Sequence, residues 1–212
     1  RLLITPTVRN VQPKPVPDEM WQTLWWADLP ACDRLAMGLG FFGGLRRAEI
    51  CSLRVGHYAR GQLVNFIRKG GGEDILPIAD LCDALLNTHP QLGAGQFIPL
   101  LEAATWGKDS DDLLVDFRVR QSAWRVYRQH FDGTNPDVLN KRMTLICERL
   151  GVPRITPHML RHSFVTNLLR AQVPLHIVSR MANHTSPTVT ARYIKAGGNE
   201  LKEWMRSVAP TP

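Results

Sequence analysis

Thr156-Pro157-His158-Met159-Leu160-Arg161-His162 is the stretch on which the reading of this chain turns. Threonine followed by proline is a helix start, because the hydroxyl can accept from the first free N–H groups and proline has none to waste. The helix it opens runs to about Ala171. Pro174 opens a short helix to Met181, and Ser186-Pro187 starts a third that carries Tyr193, nine residues beyond His184. A tyrosine near a chain end is usually packing. Placed after a His-x-x-Arg and a further histidine it becomes a candidate nucleophile, provided that cations upstream can hold a phosphate in front of it.

Working outward, residues 1–17 contain four prolines and no sustained period, which reads as a linker or arm. Asp18 is an N-cap candidate for a first helix with Trp21, Leu24 and Trp25 on one face; Trp26 cannot share it. Asp33 to Phe42 is a second apolar helix ending at Gly43-Gly44, and Arg47 to Leu53 a third. The period then changes. Gln62–Arg68 and Asp74–Ile78 read as strands flanking the turn Lys69-Gly70-Gly71-Gly72, with Pro77 confining the second strand to an edge or its own end. Asp80–Thr88 returns to helix, 90–112 reads as loop, and Val138–Leu150 is a helix closed by Gly151. Leu113 to Phe131 interleaves Arg118, Arg120, Arg125 and Arg128 with Phe117, Trp124 and Tyr127; for Arg118 to Arg128 a DNA-facing helix and a solvated face over an aromatic stripe are equally good readings. The expected fold class is mainly α with a small antiparallel β-sheet.

Bulk properties narrow the function. The 212 residues are enough for one good core, and 44% hydrophobic with 21% charged residues is ordinary for a soluble globular chain. No apolar run is long enough to span a bilayer, so no membrane partner is expected, and a cytoplasmic setting fits four scattered cysteines without zinc spacing. A formal net charge of +7 makes a polyanion a plausible partner.

The candidates for chemistry are Arg46, Glu49, Lys69, His158, Arg161, His184 and Tyr193. Gly44-Leu45-Arg46-Arg47-Ala48-Glu49-Ile50 resembles the first arginine box of the tyrosine recombinase (phage integrase) family. Lys69 in its glycine-rich turn, His158-Met-Leu-Arg161, and Asn183-His184 followed by Tyr193 are similar to the family's lysine hairpin, His-x-x-Arg box and Gly-His…Tyr ending. The resemblance covers residues 18–205 and departs from the family at Asn183, where glycine is usual; asparagine tolerates left-handed backbone better than other non-glycine residues.

What the resemblance implies is a catalytic domain over residues 18–212, without its customary N-terminal core-binding domain, acting on double-stranded DNA at specific recombination sites. Members work as homotetramers on DNA, and a free fragment would be a monomer. Tyr193 would attack the scissile phosphate to leave a 3′-phosphotyrosyl link. Arg46 and Arg161 would clamp the nonbridging oxygens, a bidentate task suited to guanidinium. Lys69 would protonate the leaving 5′-oxygen, His158 would take the tyrosine proton and His184 would bond the phosphate. Glu49, one turn from Arg46, reads as an ion-pair partner, and His162 as a structural neighbour of Arg161. Arg47, Arg118, Arg125 and Arg128 are candidate DNA contacts. No acidic cluster is spaced for Mg²⁺, so neither metal nor other cofactor is expected. Three rivals stand beside this: a type IB topoisomerase with a similar pocket, a DNA-binding module of the same fold without catalysis, and a metallo-phosphoesterase using His158, His162 and His184.

Overall fold

The computed structural model describes residues 14–68, 73–117, 135–184 and 189–190. It begins with α1 (Asp18–Trp26) and α2 (Ala31–Phe41), followed by α3 (Arg47–Ser52). Three short antiparallel strands come next: β1 (Tyr58–Ala59), β2 (Gln62–Ile67) and β3 (Glu73–Leu76), in the order β1-β2-β3. Helices α4 (Ile78–Thr88), α5 (Ala94–Ala103), α6 (Pro136–Leu150), α7 (Pro157–Arg170) and α8 (Leu175–Met181) complete the described chain. The expected α-rich class with one small sheet is what the fold shows.

The aromatic face of α1 makes one end of the core. Trp21 stacks on Phe41 with centroids 3.6 Å apart, and Trp25 meets Phe42 edge-on at 5.2 Å. Trp26, one residue on, points outward and is 59% exposed. Asp18 lies inside α1 rather than capping it; Pro17 is the cap residue, and the two acids of the first turn complement the helix dipole instead. Just before α1, Val16 is buried and its N–H donates to the Ser163 hydroxyl at 2.8 Å, which ties the end of the proline-rich segment to α7.

One expectation needs correction. Residues 94–103 form a helix, not a loop, although Pro99 sits inside it. Its apolar face (Ala94, Phe97, Leu101) is fully buried, and that packing outweighs one missing backbone hydrogen bond. After α5, Leu113 pairs with Arg54 in an isolated antiparallel bridge, and Leu114 N–H donates to the Leu53 carbonyl. Residues 118–134, where the arginine–aromatic pattern falls, lie outside the described residues.

The register of the hairpin decides which of its side chains reach the core. Leu63 faces Leu76, but the next pair is Phe66 with Asp74, so the strand carries a bulge between them. Asn65 takes it up at φ +52°. Beyond the bulge, Phe66 and Arg68 face inward and Ile67 faces solvent at 68% exposure. Strict alternation from Leu63 would have put Ile67 inside and Arg68 outside.

Candidate active site

The site lies where α3, α7 and the end of α8 meet the hairpin. Gly44, at φ +62°, makes the turn from α2 into α3, and a Cβ there would run into the ring of Phe164 on α7. This turn presents Arg46 at the start of α3. Glu49 reaches back to it twice: its carboxylate accepts from the Arg46 backbone N–H at 2.8 Å and from Arg46 Nη1 at 2.9 Å. The acid closes the first turn of α3 in the manner of a capping box while fixing the guanidinium. Burial opposes a charge on Glu49, but the Arg46 N–H, its guanidinium and the charge of Arg68 prevail and hold the carboxyl below its ordinary range.

Thr156 caps α7 by accepting from Met159 N–H, which sets the phase of the helix. Arg161 is thereby turned into the interior, 3% exposed, where Nη1 donates to the Gly44 carbonyl and Nη2 to the Ala182 carbonyl. His158 and His162, one turn apart, hold their rings 4.1 Å apart edge to face. At the end of α8 the chain turns through Asn183, whose φ of +46° is the left-handed conformation expected of that position. His184 follows, its Nδ1 2.7 Å from the hydroxyl of the buried Thr190. Arg46 Nη2 closes the ring by donating to the Asn183 carbonyl at 3.1 Å.

All three imidazoles are held toward their neutral forms. Burial, then the charges of Arg161 and Arg46, lower His158. Burial, then His158, Arg161 and His184, bring His162 to about 4. Burial, then Arg161, Arg46 and His158, bring His184 to about 4. Near neutral pH the site therefore offers uncharged imidazoles, able to accept a proton, beside permanently charged guanidiniums.

Arg46, Glu49, His158, Arg161, His162 and His184 are thus brought together. Lys69, Tyr193, Arg118, Arg125 and Arg128 lie outside the described residues. Arg47, a candidate DNA contact, is exposed and paired with Asp137 of α6 at 2.7 Å. Among the described residues no three His, Cys, Asp or Glu side chains are grouped to hold a metal ion.

Sequence reasoning missed Arg68. It is 2% exposed, donates from Nη1 to the Met181 carbonyl at 2.6 Å and pairs with Asp74 across the hairpin at 3.1 Å. Its burial and the nearby charge of Arg46 lower its proton affinity, against the pull of Asp74 and Glu49. Only the bulge at Asn65 turns it inward, and a bulge leaves no clear signal in sequence.

Guanidiniums and lowered imidazoles thus meet on a helical domain with one small sheet. The sequence pattern of the phage integrase family matches residues 19–199, and the chain belongs to that family. It is 25% identical over 218 residues to the tyrosine recombinase XerC of Myxococcus xanthus, covering 99% of this chain and 67% of that protein. It is 27% identical over 173 residues to the tyrosine recombinase XerA of Pyrococcus furiosus, covering 81% and 52%. The chain therefore spans only about two thirds to one half of the length of these relatives. In fold it is similar to a crystal structure of XerA recombinase (TM-score 0.64, 19% identity, 100% of this chain and 70% of that one). It is likewise similar to XerH site-specific recombinase bound to a palindromic difH substrate in a post-cleavage complex (TM-score 0.60, 19% identity, 95% and 55%). These names favour neither the topoisomerase nor the silent-module alternative. No described helix is long and apolar enough to cross a membrane.

Proposed function

We propose that this chain is the catalytic part of a site-specific DNA recombinase in which Tyr193 cleaves and rejoins strands through a 3′-phosphotyrosyl intermediate. The observation that carries the reading is the convergence of Arg46 and Arg161, from helices far apart in sequence, on the turn that presents His184. Five N–H donors per guanidinium leave room for a carbonyl contact and a phosphate fork together.

In the forward step the Tyr193 oxygen forms a bond to phosphorus as the bond to the 5′-oxygen breaks. The phenolic proton passes to neutral His158, and Lys69 supplies the proton that the departing 5′-hydroxyl takes up. Arg46, Arg161 and His184 stabilise the charge that builds on the nonbridging oxygens. The phosphodiester energy is conserved in the tyrosyl link, so attack by another 5′-hydroxyl reverses the chemistry without ATP. Phosphate contacts from the basic surface give salt-dependent affinity for duplex DNA, recombination takes place between two sites in a tetramer, and the setting is the nucleoid.

The test is a pool of nicked duplexes of randomised sequence. The chain is expected to form an SDS-resistant adduct in EDTA, with the phosphodiester mapped by mass spectrometry to Tyr193 and a free 5′-hydroxyl on the released strand. Tyr193→Phe should form none. An adduct that survives this substitution, or that requires a divalent cation, sinks the proposal.

A further inference from the structure

Helix α8 ends in an unusual division of labour. A helix C-terminus leaves its last carbonyls without partners and carries partial negative charge. Here the chain's own N–H groups from Ala182, Asn183 and His184 serve the carbonyls of Val178, Arg180 and Ser179. The next three carbonyls go to three arginines from three different elements: Met181 to Arg68, Ala182 to Arg161 and Asn183 to Arg46. Two of these arginines belong to the proposed phosphate clamp. The third comes from the end of β2.

Arg68 is an expensive way to fill that space. Among the described residues its Nε and Nη2 are buried without hydrogen-bond partners, and Asp74, its ion-pair partner, is partly exposed. Burying a guanidinium with donors unused costs more than burying an apolar side chain of the same length. Stability alone does not account for a charge there; a contact that only a donor can make does. That contact is the one to Met181, three residues before His184.

We propose that Arg68 is a positioning residue: by holding the Met181 carbonyl it locks the end of α8 to the hairpin and so fixes the turn that presents His184 to the phosphate. The role in catalysis rests on the function proposed above, whereas the positioning of the imidazole can be read without any DNA. Among the described residues, the charged or titratable groups facing His184 include Arg161, Arg46, His158 and His162, and those facing His158 include Arg161, Arg46, His162 and His184. Arg68 acts on neither ring directly. Release of the α8 end frees His184 toward solvent and leaves His158, on α7, where it is.

The experiment is a titration of the imidazoles by proton–nitrogen NMR on the whole chain, with His184→Gln to assign the signal. In Arg68→Met the His184 midpoint, about 4 in the unaltered chain, should rise by about one pH unit while His158 moves by less than about a third of that. Arg68→Lys keeps the charge on a shorter head that reaches the Met181 carbonyl less well, so it should give a smaller rise in His184 alone; it decides the matter should Arg68→Met not fold. An unmoved His184 in the folded variants, or equal movement of both rings, overturns the proposal. In the adduct assay Arg68→Met should be about tenfold slower than the unaltered chain, but less than about twofold slower when both proteins carry His184→Gln. Penalties that simply multiply overturn it too. Should the unaltered chain form no adduct, the recombinase reading falls while the titration still judges Arg68.

Discussion

Arginines in this molecule are held in two opposite ways. Arg142 on α6 makes a fork to Asp33 on α2, with Nη2 to Oδ2 at 2.6 Å, and lies 4.9 Å over the ring of Phe117. Both charges are paired within a carboxylate–guanidinium geometry, and the function of the pair is to fasten one helix to another. The arginines at the end of α8 instead spend donors on main-chain carbonyls, with Glu49 and Asp74 as partial counter-charges. The first arrangement is closed and self-satisfied. The second is a concentration of positive charge gathered around one turn, as a site for a phosphate requires.

The difference can be broken from either side. The largest effect is expected at the closed pair: Arg142→Met should destabilise the fold by about 3–5 kcal/mol, since it leaves Asp33 charged and buried. Urea unfolding at pH 7 measures this, and Asp33→Asn added to Arg142→Met should recover part of the loss. At the open cluster the expected loss is in chemistry. Arg161→Lys preserves the charge but not the fork, and should slow adduct formation by about 100-fold or more, with a much smaller change in the urea midpoint.

Gly44→Ala tests a residue that serves both fold and site. Left-handed backbone and the ring of Phe164 both oppose a Cβ at Gly44, so a loss of about 2 kcal/mol in unfolding free energy is expected. A smaller effect should follow from the histidines. His158, His162 and His184 are all lowered in the folded chain from 6.5, the latter two to about 4. The unfolded chain therefore binds protons first on acidification, and the stability they confer, complete above pH 6.5, drains away as pH falls toward 4. The melting temperature should decline over that window, and His162→Gln should flatten the decline. Arg47→Gln should change stability by no more than about 0.5 kcal/mol, because its pair with Asp137 is exposed.

Much of this was legible from local signals. Thr156-Pro157 and Gly151 mark helix ends through chemistry contained in a few residues, and each marks one here, while α6 opens at Asn135-Pro136, just ahead of the Val138 expected. The reading of Asn183 as a residue that tolerates left-handed backbone depends on nothing beyond its own side chain, and φ is indeed positive there. The pairing of Arg46 with Glu49 was visible in their three-residue spacing. Helix α5 was hidden because Pro99 and the flanking glycines imitate a loop, and only the burial of Phe97 and Leu101 reveals why it forms.

What the amino-acid sequence by itself determined was the order of the elements, the class of fold and the residue types available for chemistry, since these come from period, caps and motif spacing. What only the tertiary structure decided was which charges meet. The bulge at Asn65 turns Arg68 from the solvent face to the core, and the packing of α3, α7 and the hairpin against the end of α8 delivers three guanidiniums to three successive carbonyls. A one-residue slip in a strand exchanges its two faces without altering composition or hydropathy, so contacts between residues more than a hundred positions apart come into view only when the chain is folded.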